Sequence, residues 1–547
     1  MPLALEMAAA RLPWMGVQAV HDRLGERLRM LRDDTRPGSA RHRTLLAAMD
    51  WSHALLSASE QAVFRRLAVF RGGFTLQTAP AVVTDGHVVD GWDAIDALGW
   101  LVDKSLIQID GDPQANELRY RMLESARLFA QERLAASGEG RAVRERHAEA
   151  MAAFAQTWSE RLWNEPDVVW LAATEPEADN LRVALDTALT TGLDPARLTA
   201  RAVQAAAAQA APLFDLLSWI DISRYGGAEV RRMAPRVEAL LAAVENADRA
   251  SPELPVLAAD AQVETRLHLI LGGAWRNTAP AHSLAIWRKA LARPRAGGDR
   301  VLRFRLACCA ATAAARTERI EEAAAHWRDA RALLDPAWPP RLRLLEADAA
   351  GFVAHFSGDS TVARVHFARF RTLALQAGAD GGLMVVSHNL ADIALSLGEV
   401  DEAVRIGLEL VAWLRTQRSP YNLGFALGNL FAALVQQGRL AAALAAGAEA
   451  LAMLRRNENA VWLFDHFALL AARQGAYTDA AQLLGYADKA RAATGTPRDT
   501  SEALACQMAR AAVDAALGLS LREQGAAEGA ALGDAEADAL AIRPRPC

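Results

Sequence analysis

Apolar residues recur at helical spacing along nearly all of the chain, and one short stretch alone departs from that period. Residues 1–32 carry two such runs, LALEMAAARL and VQAVHDRLGERLRML. A polar turn, DDTRPGSARHR, follows, with Pro37 and Gly38 as breakers. Thr44 to Leu56 predicts a helix with Trp51 and Leu55 on one face. Ser57 and Ser59 are placed to cap the next helix, SEQAVFRRLAVF, with Glu60 in its first turn and Gly72-Gly73 at its end. A short helix, TLQTAPAVV, and a longer one, WDAIDALGWLVDKS, come next. The spacing then turns from helical to alternating. SLIQID and ELRYRM read as two strands joined by GDPQAN, a turn-rich loop. ESARLFAQERLAA returns to the helical period, and beyond about residue 140 there is no strand pattern.

A few helices and one β-hairpin outline a winged helix over residues 38–138. The rest repeats. Gly358, Gly398 and Gly438 stand 40 apart, and Gly475 comes 37 later. Five residues after each is an alanine: Ala363, Ala403, Ala443 and Ala480. The same step backwards puts Ala323 and Ser283 at that small position and aligns Trp287, Trp327 and Phe367. Glycine permits the tight turn between two helices, the small residue lets them approach, and the large one fills the gap to the next pair. One pair cannot bury its apolar face alone, so the array is expected to stand only as a stack. Leu390, Ala391, Gly398 and Ala403 occupy tetratricopeptide positions, although Ala394 replaces a usual tyrosine. The predicted fold is mainly α: a winged helix followed by an α-solenoid of tetratricopeptide-like pairs over 265–525. Residues 139–264 are expected to be degenerate pairs, and 526–547 a frayed tail.

Composition narrows the function. At 547 residues the chain exceeds one core. Its net charge of -5 gives no sign of a nucleic-acid-coating or membrane-surface protein. Cys308, Cys309, Cys506 and Cys547 lack zinc or disulfide spacing, so no metal site is expected. Cys308-Cys309 reads as core. The start has no basic region or cleavage site, and AVQAAAAQAAPLFDLLSWI is broken by Pro212 and Asp215, so the expected compartment is the cytoplasm. No phosphate loop, GxGxxG after a strand, HExxH or GxSxG occurs, and His42, His147 and His466 are isolated. An enzyme is not expected.

Two candidate surfaces remain. Arg41, Arg43, Arg65, Arg66 and Arg71 make the winged-helix region basic. Yet the helices that would read a groove, TLQTAPAVV and WDAIDALGWLVDKS, are apolar or acidic where polar and basic side chains would be needed. Docking of these arginines on another domain is therefore preferred to direct DNA contact. In the repeats, Asn389 and Asn429 take equivalent positions on consecutive helices. They either line a groove for a protein or small ligand or pack locally within the stack.

The segments RHRTLLAAMDWSHALLSASEQAVFRRLAVFRGGFTL, LVDKSLIQID and RYRMLESARLFAQERL resemble the winged-helix part of large bacterial transcriptional regulators. These are signal-transducing NTPases with numerous domains, the STAND class. EPEADNLRVALDTAL resembles the start of that family's repeat region, and PLALEMAAARL resembles the GLPLA motif closing its NB-ARC nucleotide-binding module. The resemblance implies that residues 1–37 are the end of that module, with the phosphate loop, and ATP or ADP, belonging upstream. No cofactor is expected on this chain alone. By the same resemblance Pro2 packs beside adenine, and Leu123-Glu124 stand where relatives have a nucleotide-sensing His-Asp pair. Leucine donates no hydrogen bond, so that contact is degenerate. The implied function is the sensor and regulatory portion of such a regulator, its repeats taking a ligand or protein and its winged helix relaying the event. A stand-alone repeat adaptor is the alternative, with direct DNA binding behind both.

Overall fold

The computed structural model describes residues 49–545 apart from 111–117, 195–198, 226, 251–257, 294–298, 417–419, 457–459 and 495–497. The expectations for Pro2, Arg41, Arg43, residues 1–37 and the loop GDPQAN lie outside the described residues, as does Cys547. Two compact units emerge. The first runs to Thr157 and takes in the residues from Ala173 to 194; the second comprises Trp158–Ala172 and the residues from 199 onward.

In the first unit, residues 49–54 are helical. The elements that follow are α1 (Ala58–Leu67), β1 (Phe74–Thr75), α2 (Thr78–Val83), α3 (Gly91–Asp103), β2 (Gln108–Asp110), β3 (Arg119–Arg121) and α4 (Glu124–Ser137). α5 (Gly140–Arg161) begins in this unit and ends in the second, which also holds most of α6 (Asp167–Thr174); a 3-10 turn (Glu175–Glu177) and α7 (Ala178–Gly192) belong to the first again. Ser57 starts α1 in a reciprocal capping box with Glu60, a device worth about 1 kcal/mol. α3 begins in the same way, with Asp90 and Asp93. Phe64, Leu67, Phe74, Leu98, Leu101 and Phe129 are buried together at the centre. The hairpin is part of a three-stranded antiparallel sheet in the order β1-β3-β2, with Phe74 opposite Tyr120 and Gln108 opposite Arg121. Thr75 therefore belongs to a strand rather than to the helix expected of TLQTAPAVV. Its amide and hydroxyl are held by Thr78, which delays the helix start by three residues.

No strand occurs after β3 among the described residues. The second unit continues with α8 (Ala200–Tyr225), α9 (Ala228–Ala250), α10 (Ala258–Trp275), α11 (Pro280–Leu291), α12 (Arg300–Arg316), α13 (Ile320–Leu333), α14 (Pro340–Phe356) and α15 (Ser360–Ala377). It ends with α16 (Asp380–Ser396), α17 (Val400–Thr416), α18 (Pro420–Gln437), α19 (Leu440–Arg455), α20 (Leu463–Arg473), α21 (Tyr477–Thr494), α22 (Thr500–Ala531) and α23 (Asp534–Ala541). From α10 onward the helices stack in pairs as an α-solenoid. Gly358, Gly398, Gly438 and Gly475 turn each pair with φ between 76° and 86°. Ser283, Ala323, Ala363, Ala403, Ala443 and Ala480 are all buried where the two helices meet.

Packing inside the pairs follows a size exchange. Trp287 on α11 and Phe367 on α15 lie against Gly272 and Gly351 of the preceding helices, where an added Cβ would fall 2.2 Å and 2.5 Å from the rings. Further on the glycine changes sides: Gly407 and Gly447 on α17 and α19 receive Leu430 and Phe431 of α18. Each of these contacts, of which Gly407–Leu430 lies between one pair and the next, sets a large residue against a glycine and keeps the interior filled.

The expected frayed tail is corrected. Residues 526–541 are helical and packed. Gly525 and Gly529 let α22 approach α21 so closely that a Cβ on Gly529 would fall 1.9 Å from the Gln482 carbonyl oxygen. Ala537, Leu540 and Ala541 of α23 are buried, and Arg455 pairs with Asp534 and Asp538. α22 is the one described helix long and apolar enough to cross a membrane, but Gly518 breaks it with φ 73° and ψ 171°.

Candidate functional site

Within the first unit a polar clamp ties the wing to the helix that opens EADNLRVAL. Asn180, fully buried at the start of α7, accepts the Arg71 amide on Oδ1 at 2.8 Å. Its Nδ2 donates to the Gly73 carbonyl at 2.8 Å and to Glu177 Oε2 at 2.6 Å. Arg119 of β3 donates to Glu177 and to the carbonyls of Gly72 at 2.9 Å and Pro176 at 3.1 Å. The two glycines are required here. Gly73 has φ 90°, and a Cβ on it would fall 2.7 Å from the Tyr120 oxygen. Buried charge-assisted bonds of this kind are strong and directional, and they fix strand, turn and helix together. His147 of α5 lies edge-on to Phe70, with ring centroids 5.0 Å apart. Burial pushes its imidazole down to about 4, with Asn180 countering in part.

The arginines expected to form a docking face divide. Arg66 is 1% exposed and spent internally: it donates to the Val83 carbonyl at 2.6 Å, Asp85 at 2.5 Å and Glu139 at 3.0 Å. Arg65 joins it on Glu139 at 2.8 Å. Burial raises the Glu139 carboxyl, but the two guanidiniums more than offset this and hold it at about 2. Only Arg71 of the three presents its side chain outward, beside a cavity of about 510 Å3 that Arg144, Arg182 and Asp186 share. Leu123 is the uncapped residue before α4, and Glu124 pairs with Arg127 three residues on, which lowers its carboxyl pKa.

α3, between the helical turn and the wing, has an outer face of Trp92, Ile95, Asp96, Gly99, Trp100 and Asp103. None of these residues is a cation, although the Lys104 ammonium stands 5.9 Å from the Trp100 ring centroid. Lys104, just past its end, is committed to Glu60 at 2.7 Å.

In the second unit, consecutive first helices of pairs bring polar groups together. His355 of α14 lies 3.2 Å from Asp392 of α16. Burial opposes charge on this imidazole, but Asp392 outweighs it and raises the pKa. His388, one helix turn before Asp392, is pushed down to about 4 by burial. Asn429 of α18 donates to His388 Nδ1 at 3.2 Å, so it braces neighbouring pairs. Asn389 Nδ2 is out of solvent and has no hydrogen-bond partner among the described residues. The two asparagines therefore differ: the Asn429 amide is used between pairs, whereas the Asn389 donor is unpaired among the described residues. A separate cavity of about 420 Å3 opens between α15, α16 and α17, lined by Leu383, Leu390, Arg405 and Trp413 among others.

The winged helix-turn-helix domain family matches residues 56–135. With the helix order, the three-stranded sheet and the wing already described, the match decides the segment. Residues 56–135 are a winged helix-turn-helix domain.

Over 183 residues the chain is 43% identical to proteins of Mycobacterium bovis and Mycobacterium tuberculosis described as "Putative HTH-type transcriptional regulator". The match covers 34% of this chain and 20% of those relatives, so the matched part spans about a fifth of their length. An uncharacterized protein of M. bovis is 37% identical over 146 residues, 27% of this chain and 37% of its own. A solved STAND protein with a tetratricopeptide repeat sensor from Pyrococcus horikoshii aligns over 98% of this chain and 73% of its own, at 13% identity and TM-score 0.46.

The clamp of this winged helix-turn-helix domain escaped sequence reasoning. Its one signal was Asn180 sitting in the buried register of Ala178, Leu181, Ala184 and Leu185, a polar side chain where the stripe calls for an apolar one.

Proposed function

We propose that this chain is the sensor and relay portion of a bacterial STAND-type transcriptional regulator, its winged helix serving as a coupling element rather than a reader of DNA. The observation that carries this reading is the Asn180–Glu177–Arg119 clamp, which makes the wing and α7 one mechanical piece. Such a tie lets a displacement of α7 carry the wing with it, which is what a relay requires. The mycobacterial relatives' description as transcriptional regulators supports the regulatory role. In the repeats, the Asn389 donor, unpaired among the described residues, is the group a bound protein or small ligand would engage. Such a ligand shifts the switch only by its differential affinity for two arrangements. Nucleotide holding is assigned in this reading to a module other than the winged helix and the repeats.

Two experiments test the reading. Titration of duplex DNA with the full chain across a salt series is expected to show no affinity that climbs steeply as salt falls; such a climb would favour direct DNA binding. The genomic sequence upstream of Met1 separates regulator from adaptor. An in-frame GxxxxGK[ST] supports the regulator, and a nearby stop codon supports the adaptor.

A further inference from the structure

The outer face of α3 has no cover among the described residues. Trp92 is 78% exposed, Trp100 56% and Ile95 42%. At 100° per residue, Trp92, Ile95, Asp96, Gly99, Trp100 and Asp103 share one side of the helix. Gly99 lies in the middle of this side, and nothing stands within 4 Å of where its Cβ would be. Internal packing therefore does not require glycine there, although glycine weakens a helix interior. Its effect is a shallow notch beside Trp100, bounded one turn away by Ile95 and Asp96 on one side and Asp103 on the other. Asp96 and Asp103 rim the notch with no ion-pair partner among the described residues, whereas Asp93 is occupied in the capping box with Asp90.

We propose that this face is a docking site for an amphipathic helix of a protein partner whose apolar stripe is flanked by arginine or lysine. The stripe covers Trp92, Ile95 and Trp100, one side chain enters the notch at Gly99, and the basic flanks meet Asp96 and Asp103. Exposed tryptophans are the side chains that most often dominate a protein interface, and helix-on-face recognition uses anchors at this spacing. Charge decides the class of partner. A nucleic-acid phosphate would face uncompensated carboxylates, and so would an acidic helix; a basic helix alone supplies the missing partner. The inference rests on the reading of the winged helix as a coupling element and adds what that element grips.

The test uses the full chain and two labelled synthetic amphipathic helices with the same leucine stripe, one flanked by arginine and the other by glutamate. The arginine peptide is expected to bind and the glutamate peptide not. Trp92→Ser with Trp100→Ser should weaken binding at least about tenfold. Asp96→Lys with Asp103→Lys should invert the preference between peptides. All four positions are exposed, and circular dichroism confirms the fold of each variant. Failure of the arginine peptide to bind, equal binding of both peptides, or binding unaffected by both double variants would overturn the inference alone. Duplex DNA bound through the same face, with a steep salt dependence, would overturn it together with the coupling reading.

Discussion

Asn180 shows how much one buried amide can hold. It satisfies a backbone N–H, a backbone carbonyl and one oxygen of a carboxylate in three directions, while the other oxygen of that carboxylate takes Arg119. Two ionisable groups of the first unit, His147 beside Asn180 and Glu139 beside Arg65 and Arg66, shape its response to acid. His147 titrates near 4 in the fold and near 6.5 when unfolded, so the unfolded chain binds the extra proton between those values. Stability is then full above about pH 6.5 and falls as pH drops, by about 2 kcal/mol at pH 5 for this group. Glu139, held at about 2 against 4.5 unfolded, adds a further loss below pH 4.5, because its depressed pKa stabilises only the ionised form. Urea unfolding at a series of pH values checks the first term. His147→Leu is expected to remove about one proton from the uptake on unfolding near pH 5.

At the scale of helices, the repeat is held by complementary sizes rather than by one consensus. Where the second helix of a pair offers Trp287 or Phe367, the first offers Gly272 or Gly351; where the second has Gly407 or Gly447, leucine and phenylalanine come from α18. Gly351→Ala is therefore expected to cost about 1–3 kcal/mol by overpacking, and Phe367→Leu in the same chain to recover part of it. Thermal unfolding of the single and double variants checks this, since additive losses would mean the two residues do not share one space. The turn glycines and small residues were legible in the sequence because each repeats at one step. Glu318 was not: it adopts φ 59° one step before Gly358, at the turn position that glycine takes elsewhere. Nor was the packed C-terminal end, because Gly485, Gly525 and Gly529 read as helix breakers until two helices are seen to touch through them. The winged helix announced itself through its capping residues and the change of period, and β1 was missed because two residues are too short to show alternation.

At the scale of the molecule, a regulator needs an element that moves as one piece and a surface that transmits the movement. Sequence pattern suggested both halves, winged helix and repeats, but placed the working residues of the first in its arginines. The structure spends Arg65 and Arg66 on Glu139 and puts the tie instead in Arg119, Glu177 and Asn180. A cluster of like charges is conspicuous in a sequence, whereas three polar residues drawn from β3, a turn and α7 converge only after folding. Native-state hydrogen exchange on the full chain tests this convergence most directly. The account predicts that amides of α7, β1 and β3 open with one shared free energy in the wild type, and that Asn180→Ala lets α7 open separately and sooner. Independent opening of α7 in the wild-type chain, or an Asn180→Ala profile indistinguishable from it, would contradict the account.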